Sequence, residues 1–290
     1  MKFFPITQHE DSRHCLWIHI LKLVFETRFS FLGKSGWKSE VSEKPQLLFN
    51  AKRMLRRFEL FEKITLPSLR DQTDKEFSLL LLCSKRMPDE YRQHLEWLCS
   101  RYLHQDQYEI LVKRPRVAGK VFREHVTEVY KDERFIIQTV LDDDDAVCSD
   151  FVEICKREAE LVARRSYDGE PSHFLSFARG YSLLVENGRL EGLTIKHSPF
   201  VNLGLSLVAP PDSVKNPFLT SHLAIGARHP STVVNTLRPF YLRTIHDQND
   251  SRTPHKTDAI DGDEFEKACT YFPFLRKYQS LKMAFGEAAE

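Results

Sequence analysis

"FIIQTVLDDDDAVCSDFVEI", residues 135–154, places four consecutive aspartates between an apolar run and an amphipathic one. The run 135–141 has the length and composition of a strand buried on both faces. After it, Phe151, Val152, Cys155, Ala159 and Val162 recur at helical spacing, with Ser149 as a candidate N-cap. The aspartates therefore stand at the carboxyl end of a core strand, where open α/β sheets bind ligands. Two like charges about 4 Å apart cost roughly 1 kcal/mol in water and several times more in a partly dry cleft. A turn with a helix cap is one reading of the run, but a cap needs a single carboxylate. A hard divalent cation such as Mg2+ or Mn2+ removes the repulsion among the others.

Working outward, three more apolar runs end in charged residues: "LKLVFETRF" (21–29), "EFSLLLLCSKRMP" (76–88) and "YEILVKRP" (108–115). Helical spacing separates them. Residues 51–69 repeat Met54, Leu55, Phe58, Phe61 and Ile64, with Pro67 expected to limit the helix. Residues 87–103 start at Pro88 and turn Tyr91, Leu95, Leu98 and Leu103 inward. Strand and helix alternate to about residue 165, which predicts a mainly parallel sheet flanked by helices. Beyond it, Asn187-Gly188 between two extended runs is a hairpin signal, and "FVNLGLSLVAPP" (200–211) stops at two prolines. Residues 173–210 thus read as antiparallel strands appended to the parallel unit. The polar stretch 247–258 reads as a loop, and the chain from Asp261 as an amphipathic helical extension. The expected organisation is one mixed α/β domain over 1–252 with an extension, 253–290, packed on it.

Composition narrows the function. Among 290 residues, 42 Lys and Arg face 41 Asp and Glu, so no basic field points to nucleic acid. The six cysteines are scattered, and no signal peptide is evident, which favours a reduced, cytoplasmic setting. The apolar stretch "CLWIHILKLVF" (15–25) is too short to span a membrane. At a strand end, a carboxylate–metal pair suits the diphosphate of a nucleotide. A two-metal nuclease or phosphatase would want further acidic residues and a basic groove.

"LDDDDAV" followed by "SDFVE" resembles the Asp-x-Asp region of GT-A glycosyltransferases. "ETRF" (26–29) and "RFELFEKITLPSLRDQTDKEFSLLLLCSKRMPDEYRQHL" (57–95) resemble the putative rhamnosyltransferase family of bacterial GT-A enzymes, as does "FYLRTIHDQNDS" (240–251). This resemblance implies a GT-A-like fold and metal-dependent transfer of a sugar, with rhamnose the candidate, from a nucleotide-diphosphate donor. The acceptor would be a saccharide, a lipid-linked group or a protein, with peripheral membrane association left open. A non-catalytic interaction protein on the same fold is the alternative.

The resemblance also implies roles. Asp142 and Asp144 are first choices for Mn2+ or Mg2+, with Asp145 as a further ligand or a helix cap and His246 completing the site. Asp143 would contact the donor's sugar or ribose. Thr27 and Arg28, ending the first strand, would hold the nucleotide. Lys85 and Arg86, and the basic run Lys113, Arg114, Arg116, Lys120 and Arg123, are diphosphate candidates; a solvated helix face explains at least half of that run. His222 and Asp247 are candidates for a catalytic base, which an inverting transfer needs.

Overall fold

The computed structural model describes residues 21–33, 44–165, 172–186, 189–246 and 262–278. Its strands are β1 (Lys22–Phe29), β2 (Phe77–Ser84), β3 (Tyr108–Lys113), β4 (Ile136–Val140), β5 (Ala146–Val147), β6 (His173–Phe177), β7 (Arg179–Glu186), β8 (Arg189–His197), β9 (Ser206–Ala209), β10 (Ser231–Val234) and β11 (Tyr241–Ile245). The α-helices are α1 (Pro45–Leu48), α2 (Ala51–Leu60), α3 (Leu66–Arg70), α4 (Asp89–Tyr102), α5 (Ala118–Val129), α6 (Phe151–Arg165), α7 (Ile225–Arg228) and α8 (Gly262–Tyr271).

Strands β4, β1, β2 and β3 pair in parallel, as their two-sided apolar runs require. They form one side of a seven-stranded sheet ordered β10-β6-β9-β4-β1-β2-β3. Alternation along β1 divides the core: Leu23, Phe25 and Phe29 join the cluster that includes residues of α2, α4 and α6, and Val24 joins that of α5. Glu26 and Arg28 share the parity of Val24, so they fall on the α5 side.

The appended antiparallel section takes a different form from the one expected. The chain leaves the main sheet at Ala178, and residues 173–210 divide between two sheets. β9 lies inside the main sheet, antiparallel to both β4 and β6. β7 and β8 pair antiparallel in a second sheet, ordered β5-β11-β7-β8. Asn187 and Gly188, the predicted hairpin turn, lie outside the described residues. In "FVNLGLSLVAPP" only Ser206–Ala209 is strand.

The helical stretch over 51–69 gains detail, and it ends at Arg70, three residues beyond Pro67. Residues Phe61–Thr65 form a π-turn, and α3 continues through Pro67 to Arg70. Proline lacks an N–H and clashes with the carbonyl four residues back, and the wider turn accommodates both defects. Leu55 points outward and is 72% exposed. Arg57, not Leu55, shares the buried face with Met54, Phe58 and Phe61.

Within the C-terminal segment, the described residues 262–278 are helical, and Phe265, Phe272, Phe274 and Leu275 enter the same core cluster as Tyr181 and Leu183. Among the described residues, no helix is long and apolar enough to cross a membrane. The five described cysteines are all buried.

Candidate active site

The aspartate turn is anchored from below. The Thr27 hydroxyl donates to the Leu141 carbonyl at 2.6 Å, tying the end of β1 to the end of β4. β5 then pairs antiparallel with β11, Ala146 opposite Leu242 and Val147 opposite Tyr241. Extending that register brings 243–246 beside the aspartates. The Thr244 amide donates to Asp145 Oδ1 at 2.8 Å, and His246 Nε2 donates to Asp144 Oδ2 at 2.9 Å.

From the opposite side α2 presents Arg57. Its Nε donates to Asp143 Oδ2 at 3.0 Å, its Nη2 reaches Asp143 Oδ1, and its Nη1 donates to Asp144 Oδ2 at 3.1 Å. Asp143 is fully buried and Arg57 only 5% exposed, so this fork-shaped pairing operates with little water. Arg28 Nη2 bonds Asp142 Oδ1 at 3.0 Å, and its guanidinium lies 4.7 Å from the Phe218 ring centroid.

Each aspartate is therefore partnered, Asp143 and Asp144 sharing Arg57. Burial alone would raise the Asp144 carboxyl, but the Arg57 charge and the His246 bond outweigh it and hold it down to about 2. Burial, then the charges of Asp144 and Asp142, push Asp145 well above the usual carboxylate range, against the opposing charge of Arg243. Asp145 does not cap α6. That helix starts under Gln72, whose Oε1 accepts from the Val152 amide at 3.0 Å while its Nε2 donates to the Cys148 carbonyl.

Of the four expected metal ligands, Asp144 and His246 come together. Asp142 is turned to Arg28 and Asp145 to the β11 backbone. Among the described residues, no group of three or more His, Cys, Asp or Glu side chains is arranged to hold a metal ion. The Asp144–His246 pair nevertheless has the chemistry a Mg2+ or Mn2+ site can use, because such ions are commonly held by one or two carboxylates with substrate phosphates completing the shell. A cation there would take the place of the hydrogen that His246 donates.

Among the described residues, none of the diphosphate candidates forms an ion pair with the aspartates. Lys85 and Lys113 are exposed at adjacent strand ends, joined by a backbone bond of 2.7 Å from Lys85 N to Lys113 O. Arg86 and Arg114 are exposed beside them. Lys120 is exposed on α5, Arg116 pairs with Glu124 at 2.6 Å, and Arg123 donates to the Val214 carbonyl at 3.3 Å. His222 is half-buried in a single 3-10 turn. Burial, then the nearby Arg243 charge, lower its pKa, which keeps the imidazole neutral at pH 7. Asp247 lies outside the described residues.

Sequence reading gave no role to Arg57 or Arg243. Arg57 carried a signal: it sits three residues after Met54 and four before Phe61, within an apolar stripe. A second buried acid also escaped notice. Glu26, on β1, receives two 2.9 Å bonds from Asn216 Nδ2, which also donates to Gln138 Oε1 at 2.9 Å. Burial pushes its carboxyl up to about 8, partly offset by the Asn216 bonds. An unfolded glutamate releases its proton near 4.5, so the folded chain binds more protons between those values. Glu26's contribution to stability is therefore complete below about pH 4.5 and is lost as pH rises towards 8. Glu26→Gln is expected to flatten that slope, measured as the thermal midpoint across pH 5–9.

No curated protein significantly matches this sequence. Among solved structures, the chain is similar to the crystal structure of S. aureus TarS 1-349, with 13% identity and a TM-score of 0.40 over 77% of this chain and 60% of that one. It therefore spans about 60% of that relative's length. The same protein in complex with UDP gives 12% identity and a TM-score of 0.38, over 78% of this chain and 60% of the other. Mannose-6-phosphate isomerase from Helicobacter pylori gives 14% identity and 0.32, over 67% and 72%. A family model described as "Putative rhamnosyl transferase" matches residues 22–258, a span that holds every residue of the aspartate centre from Arg28 to His246. The chain, a mixed α/β protein, belongs to the family that this model describes.

Proposed function

We propose that the protein is a metal-dependent glycosyltransferase that moves a sugar, rhamnose in the reading the family favours, from a nucleotide-diphosphate donor to a saccharide, lipid-linked or protein acceptor. The observation that carries this reading is the buried Asp144–His246 pair at the carboxyl edge of β4, beside the guanidinium of Arg57. Asp144 and His246 would hold Mn2+ or Mg2+. When bound, that cation supplies positive charge to the departing diphosphate. Asp142, fixed by Arg28 and partly exposed, presents a carboxylate oxygen as an acceptor for the donor's hydroxyls, while Asp143, fully buried against Arg57, holds the turn in place. Neutral His222 is suited to take a proton from the acceptor hydroxyl, with Asp247 as the other candidate. Residues 1–252 form the transfer unit, with 253–290 as its extension and the cytoplasm as its site of action.

Thermal unfolding with UDP, GDP and dTDP, each with and without Mn2+, tests the reading. One nucleotide at a hundred times its dissociation constant should stabilise the chain by about 2.7 kcal/mol, and only with the metal. No shift with any member of the panel would instead support a non-catalytic protein on this fold. Cleavage of phosphoesters without any sugar acceptor would support a nuclease or phosphatase.

A further inference from the structure

The second sheet carries a pocket that the aspartate centre does not use. It has a volume of about 190 Å3 and opens where β7 and β8 meet α8. Pro239 borders it just before β11 begins, and His246 follows the end of that strand. At about 3.3 Å per residue, Pro239 lies about 23 Å from His246, and Tyr181, paired with Leu242 on the neighbouring strand, about 14 Å. α8 supplies Glu264, Lys267 and Tyr271 to its wall, and α8 follows residue 258, where the family match ends.

The lining combines two kinds of surface. Tyr271 provides an aromatic wall, Leu237 and Ile195 an apolar lip, and Arg179 and the buried Tyr181 complete the lining. Leu237 is 87% exposed and Ile195 39%, apolar area that gains from being covered. Beside them stands a carboxylate already held in place: the Tyr181 hydroxyl donates to Glu264 Oε1 at 2.5 Å, and Lys267 Nζ lies 3.5 Å from Oε2. The Tyr271 ring is steadied by the Arg238 guanidinium, 5.0 Å from its centroid. Apolar and aromatic walls with a few fixed polar groups are the usual composition of a small-molecule site.

We propose that this pocket binds one neutral pyranose unit of a glycan acceptor, remote from the point of transfer. A pyranose has a C–H face that packs on aromatic and aliphatic walls, and hydroxyls that donate to a carboxylate such as Glu264. The volume is below the roughly 300–1,000 Å3 of drug-sized sites, which suits a single monosaccharide and excludes a nucleoside diphosphate. A glycan held here and at the metal centre would be engaged at two points, raising its effective concentration at the site of transfer. The inference rests on the glycosyltransferase reading for the identity of its ligand.

Saturation-transfer NMR with methyl rhamnopyranoside and methyl glucopyranoside, at tens of millimolar, tests it on the full chain. At least one glycoside should bind, and its binding should persist when UDP and Mn2+ are added. Glu264→Gln, which removes a charged hydrogen-bond acceptor, should weaken it about tenfold. Leu237→Ser should weaken it as well, at a position too exposed to compromise folding. The inference is overturned if neither glycoside binds, if UDP and Mn2+ displace the glycoside, or if both variants bind as the parent does. Nucleotide stabilisation by UDP, GDP or dTDP is scored separately. Glycoside binding without any nucleotide shift would count against the transferase reading and leave the pocket standing; the reverse would sink the pocket alone.

Discussion

Arg57→Ala is expected to destabilise the chain by about 3–5 kcal/mol and to make the remaining stability depend on a divalent cation. The guanidinium is the cation bonded to both Asp143 and Asp144, and all three side chains are buried. Truncation leaves two carboxylates facing one another with little water to solvate them. Asp144, held down to about 2 partly by Arg57, would have to take up a proton or find another cation. Mn2+ can serve as that cation. Chemical denaturation should therefore show a large loss in the presence of a chelator and a substantial recovery with Mn2+. Arg57→Lys should fall between the two, since an ammonium cannot reproduce the planar fork. A loss below about 1 kcal/mol would mean that the aspartates are neutralised without Arg57.

The second large effect belongs to Asp144→Asn, which should lower metal-dependent turnover of the donor about a hundredfold or more while the chain stays folded. Mutations of residues that merely support metal ligands typically cost 10–100-fold, and a ligand itself should cost no less. The substitution preserves shape and leaves Arg57 paired with Asp143, so its structural cost is small beside its chemical one. His246→Gln should act on the same quantity. The double variant should be little worse than either single one, because groups that act as a unit are not additive. Nucleotide release measured against Mn2+ concentration reads this directly. Unchanged release in Asp144→Asn would remove Asp144 from the metal's shell.

The parallel strands were legible because their signal is local. Two-sided apolar runs such as "SLLLLCS" need no knowledge of their neighbours, and β1 to β4 appear where those runs lie. The helix at 149–166 was legible from its spacing, although its N-terminus was assigned to Ser149 when Gln72, far upstream, performs the capping. The second sheet was not legible. One residue, Ala178, carries the chain from one sheet to the other, and no composition shift marks it.

The candidate site divides in the same way. That acids would gather at a strand's carboxyl end, with a later histidine for company, followed from an apolar run, four aspartates and the family-like blocks around them. Which acid meets which partner did not. Arg57 reaches Asp143 across 86 positions and His246 reaches Asp144 across 102. By itself, then, the sequence determined the parallel core, the place where charge would collect and the family to which the chain belongs. Only the tertiary structure decided that Arg57 neutralises Asp143 and Asp144, that Asp145 fastens β11, and that His246 stands beside Asp144. The reason is physical: periodicity reports how each segment meets the core, whereas the pairing of buried charges depends on the register between β5 and β11 and on which face of α2 turns inward.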